Sequence, residues 1–371
     1  MRKMITARFA GSSVGPWKWT SMLRMVVGIA TVFGPIRLGL SQTPAYILTE
    51  LTSEDATQVP SKLNNLGDIV GRKADDGEGA PRATLWDHSR SKTKNLRVLL
   101  GGDYSSATGI NDSGEITGVS NTATAILPFV WTEKSGLQRV PLLLGDKCGQ
   151  AIAINKYGHV VCYSSGRNGS RVFLWNRSGR PRNLGVLPGG NYSRAHDLND
   201  YDEVVGVSGS SEGERAVLWT KSGTVRDLGT LPGDWSSEAM AINNAGDVVG
   251  YSKGPNGMRA FLWTKGGGME ELGVLPGGDS SRALGINDVG TVVGSSASAT
   301  GDHAFVWKKQ TGILDLNDTA STALGIVLIE AHAINRKGQI LAMGLSHGMM
   351  GPEDQICAPA PPLSFLLTPI D

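Results

Sequence analysis

One pattern recurs seven times along this chain: Ile or Leu, then Asn, two variable residues, usually Gly, one further residue, two mostly apolar residues and usually Gly again. Its Asn residues are Asn64, Asn111, Asn155, Asn199, Asn243, Asn287 and Asn335, at spacings of 47, 44, 44, 44, 44 and 48. A second marker keeps the same period: Trp86, Trp131, Trp175, Trp219, Trp263 and Trp307. A tandem period of this length means that each unit is one supersecondary motif, burying its faces on its neighbours. A prior of about 150 residues per domain therefore does not apply to the 371 residues.

Each unit reads as four short strands, here a, b, c and d. In the most regular copy they are 238–243, 247–251, 259–263 and 270–275, followed by the Pro276-Gly277-Gly278 turn. Gly makes up 50 residues, which suits a turn-rich β protein, and no stretch of 12 or more residues holds an apolar 3.6-residue period. Between a and b, Asn is followed by Gly three residues later in six of seven units, Asp202 replacing it once. Asn caps such a turn through its side chain and Gly accepts positive φ, so the repeated Asn is read first as a turn residue.

Ala stands four residues before the Asn in six units: Ala107, Ala151, Ala195, Ala239, Ala283 and Ala331. A small residue at one fixed place implies crowding, as found where the inner strands of a β-propeller converge on the central channel. Strand c supplies outer bulk, as in Phe261 and Trp263. The seventh unit has strands a, b and c but ends without d, and the segment 45–51 precedes the first strand a, where a d strand belongs. The expectation is an all-β, seven-bladed β-propeller of about 44-residue four-stranded repeats, its last blade closed by an N-terminal strand. The other architecture considered, an open β solenoid, has no use for that exchange.

Several units resemble a known family. His303-Ala304-Phe305, Asp227-Leu-Gly-Thr-Leu-Pro-Gly233, the Ala-Ile-Asn-Asn-Ala-Gly stretch ending at Gly246 and Ser364-Phe-Leu-Leu-Thr-Pro369 are similar to the bacterial extracellular HAF repeat family, over residues 45–369. The resemblance implies an exported, propeller-like protein and supplies no catalytic residues. Cys162 and Ala342 stand where Gly follows strand b, and Leu144-Gly145-Asp146 replaces the Leu-Pro-Gly-Gly turn, so blades 3 and 7 are the least regular. WD40 propellers share the period, but only an isolated Trp86-Asp87 matches their signature.

The first 49 residues hold no Asp or Glu and six basic residues, with an uncharged run from Met25 to Ile36. Residues 1–41 read as a secretory signal peptide, the run being too short to span a bilayer, and residues 42–371 as the propeller. Removing 1–41 leaves 29 basic and 34 acidic residues, a net charge of 29 − 34 = −5. That charge disfavours nucleic acid as a partner. A secreted, extracellular or periplasmic protein with no membrane span in the mature chain is expected. Cys148, Cys162 and Cys357 allow one disulfide, with Cys148 and Cys162 the candidate pair and Cys357 free. The six His lack metal-ligand spacing, so neither metal nor cofactor is expected.

A basic residue begins strand c in five units: Arg82, Arg171, Arg215, Arg259 and His303. They fall on the face that also carries the d-to-a loops, where Arg194 and Arg282 lie. Either they form a positive ring for an acidic ligand, or each pairs with a neighbouring acid or covers an aromatic ring. Tyr104, Tyr192 and Trp235 in the d-to-a loops could stack on sugar rings. His196 and His332 are the channel-proximal histidines. Gly344-Leu-Ser346-His-Gly348 matches a nucleophile elbow but lies in a b-to-c loop, not a strand-to-helix turn. The Asn-Asp-x-Gly turns lack the alternating carboxylates of calcium loops.

Two function classes follow. The first is an exported, non-catalytic binding or interaction module whose ligand is a polysaccharide, an acidic one in particular, or a protein. The second is a propeller lyase or hydrolase acting at the channel mouth. A catalytic acid or base would appear in one blade and not in its siblings.

Overall fold

A computed structural model describes residues 45–51, 58–74, 79–89, 93–167, 169–321, 325–346 and 362–370. The signal-peptide segment and Cys357 lie outside these residues. Six four-stranded antiparallel sheets follow one another in chain order: blade 1 spans residues 58–95, blade 2 105–139, blade 3 148–183, blade 4 193–227, blade 5 236–273 and blade 6 281–315. Within each, a pairs with b, b with c and c with d. The molecule is a seven-bladed β-propeller.

Blade 7 closes the ring as its missing strand requires. Strands Ile326–Ile334, Ile340–Ser346 and Leu363–Pro369 supply a, b and c. Tyr46–Glu50 adds antiparallel to c as the d strand, from Tyr46 opposite Pro369 to Glu50 opposite Phe365. Covering this edge satisfies main-chain groups that would otherwise stay open to other chains. One feature has no counterpart in the repeat: a single helical turn, Leu316–Thr319, leads into Ala320–Ser321, which pairs parallel to the N-terminal strand and makes blade 7 five-stranded.

The core lies between blades. Phe129, Phe173, Phe261, Phe305 and Phe365, all from strand c, are essentially inaccessible to solvent. Phe261 and Trp263 of blade 5 pack with Val205, Ala216 and Leu218 of blade 4, and the other seams repeat this arrangement. Each such ring contributes about 1.5–3 kcal/mol through burial.

The crowding signalled by the repeated Ala has a local source as well as a radial one. The a-to-b register slips by one residue at this position in every blade, for example between Ala239 and Ala241, with Pro60 in place of Ala in blade 1. At this bulge the strand-b residue opposite is pressed onto strand a, and a Cβ on Gly250 would stand 2.0 Å from the Glu238 carbonyl. Blades 3 and 7 keep the bulge although Cys162 and Ala342 replace the Gly. The Leu144-Gly145-Asp146 turn also survives, because the Asp146 N–H reaches the Leu143 carbonyl (3.1 Å) just as Gly190 reaches Leu187.

The disulfide expectation is corrected here. Cys148 pairs in register with Ser165, whereas Cys162 pairs with Ala151, three positions further along strand a. Cys148 is exposed and Cys162 buried in the core with Val160 and Phe173, and both are free thiols. Three residues of extended chain separate the two by about 10 Å, beyond disulfide reach.

Candidate functional site

Strand a of every blade lines the channel, so the residues around the repeated Asn set its geometry. Each Asn does two jobs. Its Oδ1 accepts from the turn, as Asn243 does from the Ala245 and Asp247 N–H groups (3.0 and 2.9 Å). Its Nδ2 crosses to the next blade. Asn64 donates to the Asn111 carbonyl (3.3 Å), Asn111 to Asn155 (3.0 Å), Asn155 to Asn199 (3.2 Å) and Asn199 to Asn243 (3.2 Å). Asn243 then donates to Asn287 (3.3 Å), Asn287 to Asn335 (3.1 Å) and Asn335 back to Asn64 (3.0 Å). These buried amides form one closed circle of inter-blade bonds. The sequence shows their recurrence but not this second partner.

The residue after each Asn builds a second circle around the mouth. Asn65 N–H and Nδ2 bond the Asp112 carboxylate, the Lys156 N–H bonds Asp200, the Asp200 N–H bonds Asn244, the Asn244 N–H bonds Asp288, and the Arg336 N–H bonds Asn65, all at 2.8–3.1 Å. Arg336 also reaches back to Asp288 with Nε and Nη2 (2.8 and 2.6 Å). Burial pushes the Asp288 carboxyl up, but the Asn244 and Arg336 hydrogen bonds outweigh it and hold the pKa below the usual range. The Asp residues of the Asn-Asp-x-Gly turns thus make inter-blade links. No group of His, Cys, Asp and Glu among the described residues is arranged to hold a metal. The two circles enclose a polar cavity of about 300 Å³ at the end of the channel that carries the a-to-b turns, the turn face.

The opposite, loop face carries the d-to-a and b-to-c connections and the basic and aromatic residues singled out from the sequence as ligand contacts. Four of the five strand-c residues are engaged by their own surroundings. Arg171 pairs with buried Asp146 (2.6 Å), Arg215 with Glu212 (3.2 Å), Arg259 with Glu271 (3.3 Å) and His303 with Asp315 (2.5 Å). Arg215 also donates to the Trp235 carbonyl (2.7 Å), and Arg259 donates to that of Asp279. Each of these two thereby ties strand c to the loop that follows twenty residues later. Arg82 has no ion pair among the described residues. Tyr104 accepts from Arg72 (3.4 Å), and Tyr192 donates to Glu214. Burial and that bond raise the Tyr192 pKa to about 12.

Around the channel on this face, blades 4 to 7 depart from the neutral residues Val59, Ser106 and Gln150 of blades 1 to 3. The positions five before the Asn become Arg194, Glu238, Arg282 and Glu330. Arg194 pairs with Glu238 and Arg282 with Glu330, each at 3.3 Å. His196 Nε2 bonds the same Glu238 (2.6 Å), and the Tyr251 hydroxyl donates to its other oxygen. Burial pushes the Glu238 carboxyl up, but the hydrogen bonds from His196 and Tyr251 and the nearby positive charge hold it below the usual range. Burial and Glu238 push the Tyr251 phenol far up. The sequence pointed to His196 but missed Glu238 and Tyr251. The usable signal was the departure of blades 4 and 5 from their siblings at two nearby positions. His332, the counterpart of His196 in blade 7, faces Pro60 and Lys62 of blade 1 instead of a carboxylate. Both its ring nitrogens are enclosed without a hydrogen-bond partner.

Trp235 departs from the repeat in another way. The equivalent residues eight before the Asn are Ala56, Asp103, Lys147, Asn191, Asp279 and Val327, none of them aromatic. Its backbone is clamped on both sides, N–H to the Lys253 carbonyl (3.1 Å) and carbonyl to Arg215, while its side chain leaves the residue 53% exposed. Ser346 of the Gly-x-Ser-x-Gly match ends strand b of blade 7 in extended conformation, and His347 and Gly348 lie outside the described residues.

No family model matches the chain, and no curated protein matches it. Solved structures do. An oligogalacturonate lyase in complex with manganese superposes at TM-score 0.56 and 13% identity, over 87% of this chain and 93% of that one. The β-propeller domain of the trilobed protease from Pyrococcus furiosus, of open velcro topology, gives TM-score 0.50 and 12% identity over 73% and 84%. TolB from Acinetobacter baumannii gives 0.46 and 13%, over 66% of this chain and 62% of that one. At such identity the first two show the propeller fold alone, and the TolB likeness is too slight to add to it.

Proposed function

We propose that this is an exported, non-catalytic binding propeller of the HAF-repeat kind, holding a polysaccharide on its loop face at blades 4 and 5. The observation that carries the reading is Trp235. The residue is half exposed, it is the one aromatic at a position where its siblings carry Ala, Asp, Lys, Asn, Asp and Val, and its backbone is fixed by Arg215 and Lys253. A held, exposed aromatic face suits stacking against the apolar face of a sugar ring at low ordering cost. Glu238 lies three residues further along, with Arg194 on strand a of blade 4 paired to it through Nη2, and the exposed remainder of that guanidinium offers N–H donors for hydroxyls.

Binding is favoured over lyase or hydrolase chemistry because these titratable groups satisfy one another. A general acid or base must reach the substrate proton, yet Glu238 has both oxygens engaged and the raised Tyr251 pKa makes a poor base. The pairing of Arg171, Arg215, Arg259 and His303 with acids also removes the surplus charge that a preference for acidic polymers needs. A neutral polysaccharide is therefore the favoured ligand. A glycan array of neutral and uronic-acid polymers, read with the wild type and Trp235→Ala, tests this. Retention of neutral glycans, at least tenfold weaker in the variant, is expected; an empty array or an indifferent Trp235→Ala overturns it. Recovery of secreted protein lacking residues 1–41 tests export.

A further inference from the structure

The turn face carries a feature outside this reading. Two residues after each Asn the side chain points away from the blade, and four of these positions hold large apolar or aromatic residues. Leu66 is 50% exposed, Tyr157 62%, Tyr201 61% and Val289 75%. Tyr157 and Tyr201 occupy equivalent positions in adjacent blades 3 and 4. Their N–H groups are held by Asn155 Oδ1 and Asn199 Oδ1 (3.1 and 2.9 Å), so both phenols rise from the same fixed turn. Single exposed apolar residues need no explanation, but a matched pair of tyrosines, each following a residue that lines the polar cavity (Lys156 and Asp200), is a different observation.

The rim between them is polar and only partly saturated. Lys156 reaches Asp200 (3.4 Å) and lies 5.0 Å from the Tyr157 ring centre. Five of the seven main-chain N–H groups in the second circle find an acceptor on the next blade. The Asp112 and Asp288 N–H groups do not, because the next positions are Lys156 and Arg336, whose side chains have no acceptor atom. The cavity beside it, about 300 Å³, is at the small end of ligand sites. In the second circle three carboxylates face two cations, a net charge of 2 − 3 = −1, which disfavours a polyanion. Ser113, Ala245 and Lys337 interrupt the outer apolar positions, so no continuous hydrophobic face exists for a protein partner. Amphipathic aromatics beside carboxylate acceptors and an N–H donor left over from the circle match a ring with an apolar face and a hydroxylated edge.

We propose that the turn face holds a second ligand site, for a short neutral oligosaccharide, with a pyranose ring on Tyr157 and Tyr201 and its hydroxyls bonded by the Asp112 N–H and by Asp200 Oδ1, which accepts from the Lys156 N–H alone while Oδ2 takes Asn244 and the Lys156 ammonium. The a-to-b turns and the d-to-a loops lie at opposite ends of the strands, so this site is separate from Trp235. One rigid ring with a site on each face would engage two stretches of polymer, and its avidity would exceed either affinity.

The test uses the full chain carrying Trp235→Ala, which removes the loop-face platform, and β-1,4-linked hexaoses of glucose, xylose and N-acetylglucosamine. Isothermal titration and saturation-transfer NMR read the binding. At least one hexaose should bind, with transfer from tyrosine ring protons. Tyr157→Ala with Tyr201→Ala should weaken it tenfold or more, and the Phe pair, which keeps the stacking faces, should stay within threefold. The wild type provides a readout that needs no altered tyrosine: ligand-induced shifts of two tyrosine ring signals. Absence of hexaose binding in the Trp235→Ala protein, binding unaffected by the double Ala variant, or a wild-type dimer dissolved by that variant would overturn the site. Loss of loop-face binding alone would leave it standing.

Discussion

The substitution Asn243→Asp separates the two jobs of the repeated Asn. Asp is as competent as Asn at such a turn, and its oxygen can still accept from the Ala245 and Asp247 N–H groups. The second job is lost. Nδ2 donates to the Asn287 carbonyl (3.3 Å) and to Asp247 Oδ2 (3.2 Å), in a residue only 4% exposed. The substituted side chain sets a carboxylate oxygen against both acceptors. An uncompensated acceptor at a buried site costs about 1–3 kcal/mol, more when charged, and like charges about 4 Å apart add up to about 4 kcal/mol near a protein surface. A loss of about 2–4 kcal/mol is expected, against under about 0.5 kcal/mol if the residue were only a turn former. Urea unfolding at pH 7, with the m-value checked for constancy, measures it. A change in midpoint equivalent to less than about 0.5 kcal/mol would refute the inter-blade role.

Other outcomes follow from single features. His332 is held down at about pKa 4, mainly by burial and then by Lys62, so the unfolded chain takes up the proton first as pH falls. Stability should decline from about pH 6.5 to 4, by at most about 3 kcal/mol from this residue. His332→Leu, copying Leu284 of blade 6, should flatten that part of the profile; an unchanged difference between pH 7 and 5 would exclude it. Deleting residues 45–51 should lower the melting temperature and promote aggregation, because strand c of blade 7 loses its antiparallel partner; an unaltered melting temperature would dismiss the closure. Alkylation of the native protein should reach exposed Cys148 and spare buried Cys162, whose pKa burial raises, until the chain unfolds; a Cys148–Cys162 disulfide in the mass map would contradict the register.

The fold was legible because two markers kept one period and because a strand was missing at one end and spare at the other. Local chemistry predicted each hairpin, and counting predicted the closure. Partners were not legible. Nothing in the spacing says that Asn Nδ2 spans 44 residues to the next carbonyl, since that contact exists only once the blades stand side by side. The cysteine pair failed for a related reason: a separation of 14 residues through a hairpin says nothing of register, which the bulge at Ala151 shifts. The extra helical turn at Leu316–Thr319 belongs to no repeat unit, so the period had no means of announcing it. Tyr157 and Tyr201 sit where the seven units show Leu, Ser, Tyr, Tyr, Ala, Val and Lys. At a position that variable, the informative signal is exposure, which only the structure supplies.

Equivalent positions of a closed propeller meet nearly equivalent surroundings, and this gives repetition a physical meaning. A residue type kept around the ring answers a demand the ring itself makes seven times. The Asn circle is the plainest case, whereas the bonds from Arg215 and Arg259 to the carbonyls of the following loop serve two blades. A ligand that meets one sector of the ring makes no such demand, so its contacts should be found where siblings disagree. Disagreement alone is not enough, because it also arises where one departure compensates another, as Glu238 of blade 5 answers His196 of blade 4. Trp235 differs from its siblings, Tyr157 and Tyr201 differ from the other five at theirs, and all three keep a fixed backbone and leave their side chains largely to solvent. No neighbouring blade needs their side chains, which is the condition that the proposed ligand contacts have to meet.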